Sequence, residues 1–166
     1  MTNTDIKLTI DFLKSQKEIL EKIKTVCILS PTYELSFYEK IFNNIEIKDI
    51  NSWDLNKIEN FKYNLIISHN IFYISKNPQL WIDNVMNSCD YFLLQDILKR
   101  KRNLYSEFCE TDHDSIRFSF NNHKYYDGET FNLSNIKYKI INGIIYDGEK
   151  NEFDNQPKHF ACLIGK

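Results

Sequence analysis

Apolar positions recur along this chain in two rhythms, and their alternation predicts its architecture. Over residues 11–24, Phe12, Leu13, Ile19, Leu20 and Ile23 fall on one helical stripe, so the chain is expected to open with an amphipathic helix. The block "TVCILS" that follows is short, apolar and stopped by Pro31, the signature of a buried strand. Pro31 suits a first helical turn, with Ser30 as its cap, and Leu35, Tyr38, Ile41 and Phe42 then keep a helical period to about Asn43. "IEIKDI" predicts a second strand, "NSWDLNKIENFK" a loop with one helical turn, and "NLIIS" a third strand whose unbroken apolar run suits burial on both faces. Asn77 and Pro78 open another helix, with Trp81, Ile82, Val85, Met86 and Cys89 on its inner side, and "YFLLQ" is the fourth strand.

Beyond Asp96 the rhythm changes. A polar stretch, "KRKRNLYSEFCETDHD", leads to the alternating "SIRFSF", read as a strand or an extended lid. "IKYKIINGIIY" and "KHFACLIG" are then expected to pair antiparallel across the turn-rich "DGEKNEFDNQP". Strand and helix units with short links make the fold class α/β: a reduced Rossmann-like domain, mainly parallel, flanked by helices and closed by an antiparallel C-terminal hairpin. One domain is expected, with an N-terminal helix over residues 1–25, an α/β core over 26–96, a polar lid over 97–130 and the hairpin over 131–166.

Composition narrows the partner classes. At 166 residues, 42% hydrophobic and a formal charge of −2, the chain can bury a core unaided and lacks the basic excess of a general nucleic-acid binder. "KRKR" at 99–102 reads first as a solvated face. No run of eighteen apolar residues and no secretory leader pattern occur, so a cytoplasmic location away from membranes is expected. Cys27, Cys89, Cys109 and Cys162 lack a C-x-x-C pairing and are expected as reduced thiols. "CETDHD" at 109–114 gathers metal-ligating types, but adjacent side chains point apart and no second cluster completes a site; no metal is expected. A homo-oligomer is an open option.

In open parallel sheets, ligands sit beyond the carboxyl ends of the strands, where strand order reverses. The candidates therefore lie at 30–34, 49–54, 68–73 and from Asp96 onward. His69, just after a buried run, is the candidate catalytic base, against the simpler reading of a hydrogen-bonded strand-end histidine. Arg117 on "SIRFSF" is a candidate anion contact from the lid. No nucleophile elbow is present.

The segment "YNLIISHNIFYISKNPQLWIDNVMNSCDYFLLQD" resembles the central part of class I S-adenosylmethionine-dependent methyltransferases, and "VCILSPTYELSFYEKIF" is similar in placement to their first strand, cofactor loop and first helix. The resemblance runs from about Val26 to Lys166. It implies S-adenosylmethionine as cofactor: its carboxylate at the amides of the helix opened by Ser30, Pro31 and Tyr33, ribose or adenine at Asp49 or Asp54, adenine stacked on Trp53, and the methionine end at Ser68 and Asn70. Substrate contacts would come from Tyr73, Asp96 and Arg117.

Two departures stand against the likeness. The turn after the first strand reads "LSPTYE" with no glycine, and the glycines, Gly128, Gly143, Gly148 and Gly165, all fall late in the chain. One strand and helix that the family carries between "YEKIFNN" and "YNLIIS" have no counterpart. Two readings follow: a methyltransferase-like protein acting on an unknown substrate, or a non-catalytic Rossmann-like module that binds a protein partner or forms an oligomer. Use of the same cofactor for another reaction is a third.

Overall fold

A computed structural model describes residues 3–29, 36–48, 62–69, 78–98, 123–124, 130–131, 136–148 and 158–166. In chain order its elements are α1 (Asn3–Ser15), α2 (Lys17–Leu20), β1 (Val26–Leu29), α3 (Ser36–Glu39), β2 (Ile45–Lys48), β3 (Tyr63–His69), α4 (Pro78–Asn87), β4 (Cys89–Leu98), β5 (His123–Lys124), β6 (Thr130–Phe131), β7 (Lys139–Asp147) and β8 (Lys158–Gly165). Six of the strands form one mixed sheet in the order β2-β1-β3-β4-β8-β7, and β5 pairs with β6 separately. β2, β1, β3 and β4 are mutually parallel, whereas β8 runs antiparallel to both β4 and β7. The expected α/β class, with parallel core and antiparallel C-terminal pair, is the observed one; β8 lies inside the sheet and β7 forms its edge.

Burial explains why the first strands are parallel. All four residues of β1 are buried, and Leu65, Ile66 and Ile67 of β3 are inaccessible to solvent, so both faces of the sheet must be covered. On one face Cys27, Leu29, Ile66, Phe92, Leu94, Phe160, Cys162 and Ile164 meet Trp81, Ile82, Val85 and Met86 of α4. Each such side chain contributes roughly 1.5–3 kcal/mol by leaving water. Trp81 and Phe92 also meet in a tilted pair with ring centres 5.4 Å apart. On the other face Val26, Ile28, Leu65, Ile67, Leu93, Ala161 and Leu163 pack against Ile6, Ile10 and Leu13 of α1 and Tyr38 of α3.

Several element boundaries differ from the sequence expectation. The opening helix is not one helix over 11–24 but α1 followed by α2, because the chain breaks at Gln16. There the Ser15 hydroxyl donates to the carbonyl of Phe12 (2.6 Å) and the N–H of Gln16 turns back to Leu13 (3.0 Å), closing the first helix. The stripe that anchors α1 begins earlier, with Ile6, Thr9, Ile10 and Leu13 all buried. β4 runs past the expected "YFLLQ" to Leu98 because β8 supplies a partner for every residue from Tyr91 onward. Cys89, expected on the inner side of α4, instead opens β4, its thiol turned to the carbonyl of Val85 at 3.2 Å. The expected "SIRFSF" segment and most of the 97–130 lid lie outside the described residues.

Candidate functional site

Strand order places the site. From β1 the chain passes through α3 to β2 on one side, and from β3 through α4 to β4 on the other, so the winding reverses between β1 and β3. A doubly wound sheet opens a crevice at that point, outside the carboxyl ends of its strands. Here those ends carry Leu29, paired with Ser68; His69, paired with Gln95; and Asp96 of β4, paired with Phe160. Ser68, His69, Gln95 and Asp96 are each 0% exposed, although the strand residues leading to them are almost wholly apolar.

Four buried polar side chains at one sheet edge are costly unless bonded. Two of them are joined: Nδ1 of His69 lies 3.1 Å from Oε1 of Gln95, and Nε2 of His69 meets the hydroxyl of Tyr38. Tyr38 is 1% exposed and comes from α3, its ring centre 5.6 Å from that of His69. One chain of hydrogen bonds thus links the helix after β1 to the ends of β3 and β4. Two atoms at this edge find no hydrogen-bond partner among the described residues: the hydroxyl of Ser68 and the amide nitrogen of Gln95. An unmet buried polar group costs about 1–3 kcal/mol, a burden that ligand sites carry and plain cores avoid.

Of the residues singled out in the sequence, the structure brings together Ser68, His69 and Asp96. Ser30, Pro31, Tyr33, Asp49, Trp53, Asp54, Asn70, Tyr73 and Arg117 lie outside the described residues, as does the "CETDHD" cluster. Tyr38 and Gln95 were not singled out. Tyr38 reads as one more apolar position on a helical stripe, and Gln95 merely as the end of "YFLLQ". The available signal was in the register: Gln95 ends its apolar run as His69 ends the run in β3.

The opposite edge of the sheet is built differently. The side-chain oxygen of Asn64 accepts from the N–H groups of Lys24 (2.9 Å) and Thr25 (3.2 Å), while its amide donates to Asp90 (3.0 Å), clamping the starts of β1, β3 and β4. The hydroxyl of Tyr63 donates to Glu46 at 2.7 Å, and burial together with that carboxylate raises the phenol above its ordinary range. Two adjoining hollows open beside this clamp. One, of about 430 Å³, is lined by Leu20, Ile23, Lys24, Ile41, Phe42, Asn43 and Asn44. The other, of about 300 Å³, is lined by Thr25, Val26, Asn43, Asn44, Ile45, Glu46 and Tyr63. They sit at the amino ends of the parallel strands, away from the buried polar edge, and among the described residues no unbonded buried polar atom lines them.

Among the described residues no group of three or more His, Cys, Asp or Glu side chains is placed to hold a metal ion. Cys27, Cys89 and Cys162 are buried thiols in no disulfide, and burial pushes Cys89 up to about 12 and raises Cys162 as well. Among the same residues no helix is long and apolar enough to cross a membrane.

No family model and no curated protein matches the sequence. Among solved structures, the chain is similar to an O-methyltransferase family protein from Burkholderia thailandensis, at TM-score 0.47 and 10% identity, over 94% of this chain and 55% of that one. It is also similar to EvdMO1 (0.47, 7% identity, 95% and 40%) and to the CurJ carbon methyltransferase (0.45, 11% identity, 95% and 54%). The chain spans about half the length of these structures, and the likenesses are distant ones.

Proposed function

We propose that the carboxyl edge of the sheet binds a nucleoside ligand, S-adenosylmethionine by the sequence resemblance, in a methyltransferase-like domain acting on a substrate still to be identified. The observation that carries this reading is the run of buried polar side chains at the winding reversal, Ser68, His69, Gln95 and Asp96, with two polar atoms left unbonded. A core with no ligand to serve would be cheaper with apolar residues there. Ser68 would face the ligand with Asn70, the amides beyond Ser30 and Pro31, with Tyr33, would receive its carboxylate, and Asp49, Asp54 and Trp53 would hold ribose and adenine. Tyr73, Asp96 and Arg117 would border the substrate. The bound sulfonium supplies an activated methyl group, and the protein's share is chiefly in-line positioning.

One observation favours a binding role without catalysis. Both ring nitrogens of His69 are engaged, by Tyr38 and Gln95, so His69 cannot act directly as a base in this arrangement. A proton from a substrate would have to pass through the Tyr38 hydroxyl.

Calorimetric titration of the protein with S-adenosylhomocysteine and S-adenosylmethionine, repeated on Ser68→Ala, Asp49→Ala and Asn70→Ala, tests the ligand. Ser68→Ala removes an unbonded hydroxyl, so the expected signature is a more stable ligand-free protein, by about 1 kcal/mol, that binds more weakly. Absence of binding to both compounds by the unaltered protein would reject the reading. Where binding is found, mass spectrometry of products separates methyl transfer from binding alone.

A further inference from the structure

Resting on the reading that a ligand occupies this edge, we propose that Tyr38, His69 and Gln95 form a polarity-setting chain. It fixes the Gln95 amide as a donor, so that the site accepts a ligand acceptor atom there (a carboxylate, carbonyl or ring nitrogen) and rejects an amine or hydroxyl hydrogen. The argument begins with proton counting. Neutral imidazole has one N–H and one lone pair, and a side-chain carbonyl oxygen can only accept. With Oε1 of Gln95 facing Nδ1 of His69, as the amide is placed, a neutral imidazole carries its proton on Nδ1. Nε2 then offers its lone pair to the hydroxyl of Tyr38, which donates. The sense of the chain runs from Tyr38 through His69 to Gln95. Its last member is left with an amide nitrogen that is fully buried and without a partner among the described residues.

The opposite sense makes the same two contacts. With the amide turned over, Nδ1 accepts from Gln95, Nε2–H donates to Tyr38, and the unbonded atom becomes a carbonyl oxygen. The two senses therefore differ in what they offer a ligand, a donor in one and an acceptor in the other. A buried donor left without an acceptor forfeits its hydration, which is how a site discriminates strongly between ligands of nearly equal shape. Placement suits this role. Gln95 pairs with His69 and precedes Asp96, His69 precedes Asn70, and Tyr38 follows residues 30–35 in the sequence, so the chain of bonds lies next in sequence to three of the candidate ligand segments.

A structural clamp and a specificity device respond differently to Gln95→Glu. Glutamate keeps an acceptor for His69 Nδ1–H and replaces the unbonded donor with an anionic acceptor. Calorimetry with S-adenosylhomocysteine and adenosine on the full chain is expected to show at least about tenfold weaker binding by Gln95→Glu, with the amide spectrum of the fold retained. Equal binding by the variant and the unaltered protein would overturn the proposal and leave the ligand reading standing. Failure of the unaltered protein to bind either compound would overturn both. Nitrogen-15 NMR of the His69 ring in the unaltered protein gives a second readout that does not depend on the variant folding. The Nδ1–H tautomer is expected, and the Nε2–H tautomer would overturn the proposal.

Discussion

The hydroxyl of Tyr38 reaches from α3 to Nε2 of His69, the last residue of β3, so one buried hydrogen bond ties the helix after the first strand to the end of the third. Tyr38→Phe keeps the ring and its packing against Ile6, Ile10 and Leu13 but deletes that bond. The expected loss is about 1–3 kcal/mol in urea unfolding, because the partner nitrogen stays buried. A loss within experimental error would show that the bond contributes nothing to the fold.

The clamp at the other edge should be nearly as costly to remove. In Asn64→Ala the N–H groups of Lys24 and Thr25 lose their acceptor and Asp90 loses a donor. Thermal unfolding is expected to register about 1–2 kcal/mol of destabilisation, moderated by water because these groups are partly exposed. Tyr63→Phe gives a comparison at the same edge, deleting the hydroxyl that bonds Glu46.

Most of the sheet was legible in the sequence because its strands are unbroken apolar blocks, "VCIL" and "LII" above all, separated by helices with a clear inner side. Boundaries were less so. The break at Gln16 depends on side-chain bonds from Ser15 and Gln16 to the carbonyl of Phe12, and the length of β4 depends on β8, which pairs with it from Tyr91↔Gly165 to Leu98↔Lys158. Neither leaves a periodic trace. At the candidate site, Ser68, His69 and Asp96 were visible as polar residues interrupting apolar runs. Tyr38 and Gln95 were not, since their part comes from facing His69 across space, and a tyrosine on a helical stripe looks like packing.

Two glycines near the C-terminal strands should differ in tolerance. A Cβ at Gly148 would stand 2.6 Å from Nε2 of His159, whose mostly buried ring lies 5.7 Å from that of Tyr146. A Cβ at Gly165 would meet chiefly the terminal methyl of Ile141 at 2.7 Å, a flexible group able to rotate away. Gly148→Ala is therefore expected to cost about 1–3 kcal/mol and Gly165→Ala clearly less, measured side by side in urea. The reverse order would contradict the packing described for His159.

The thiols offer a chemical check. Cys27, Cys89 and Cys162 are at most 2% exposed, so iodoacetamide at neutral pH is expected to leave all three unmodified in the native protein and to label them in urea. Burial raises the Cys89 thiol from an ordinary value of 9.0 to about 12, so the unfolded chain releases this proton first as pH rises. Its contribution to stability is complete below about pH 9 and declines as the pH climbs toward 12. Between pH 8 and 10.5 the stability of Cys89→Ala should accordingly fall less steeply than that of the unaltered protein. Parallel slopes would contradict the assigned burial.

The most direct test of a ligand site at the carboxyl edge is an amide-resolved NMR titration of the full chain with S-adenosylhomocysteine. Saturable shifts are expected at Leu29, Ser68, His69, Gln95 and Asp96, with Asn43, Asn44 and Glu46 beside the opposite hollows unchanged. Shifts confined to that opposite edge, or none at all, would contradict the account.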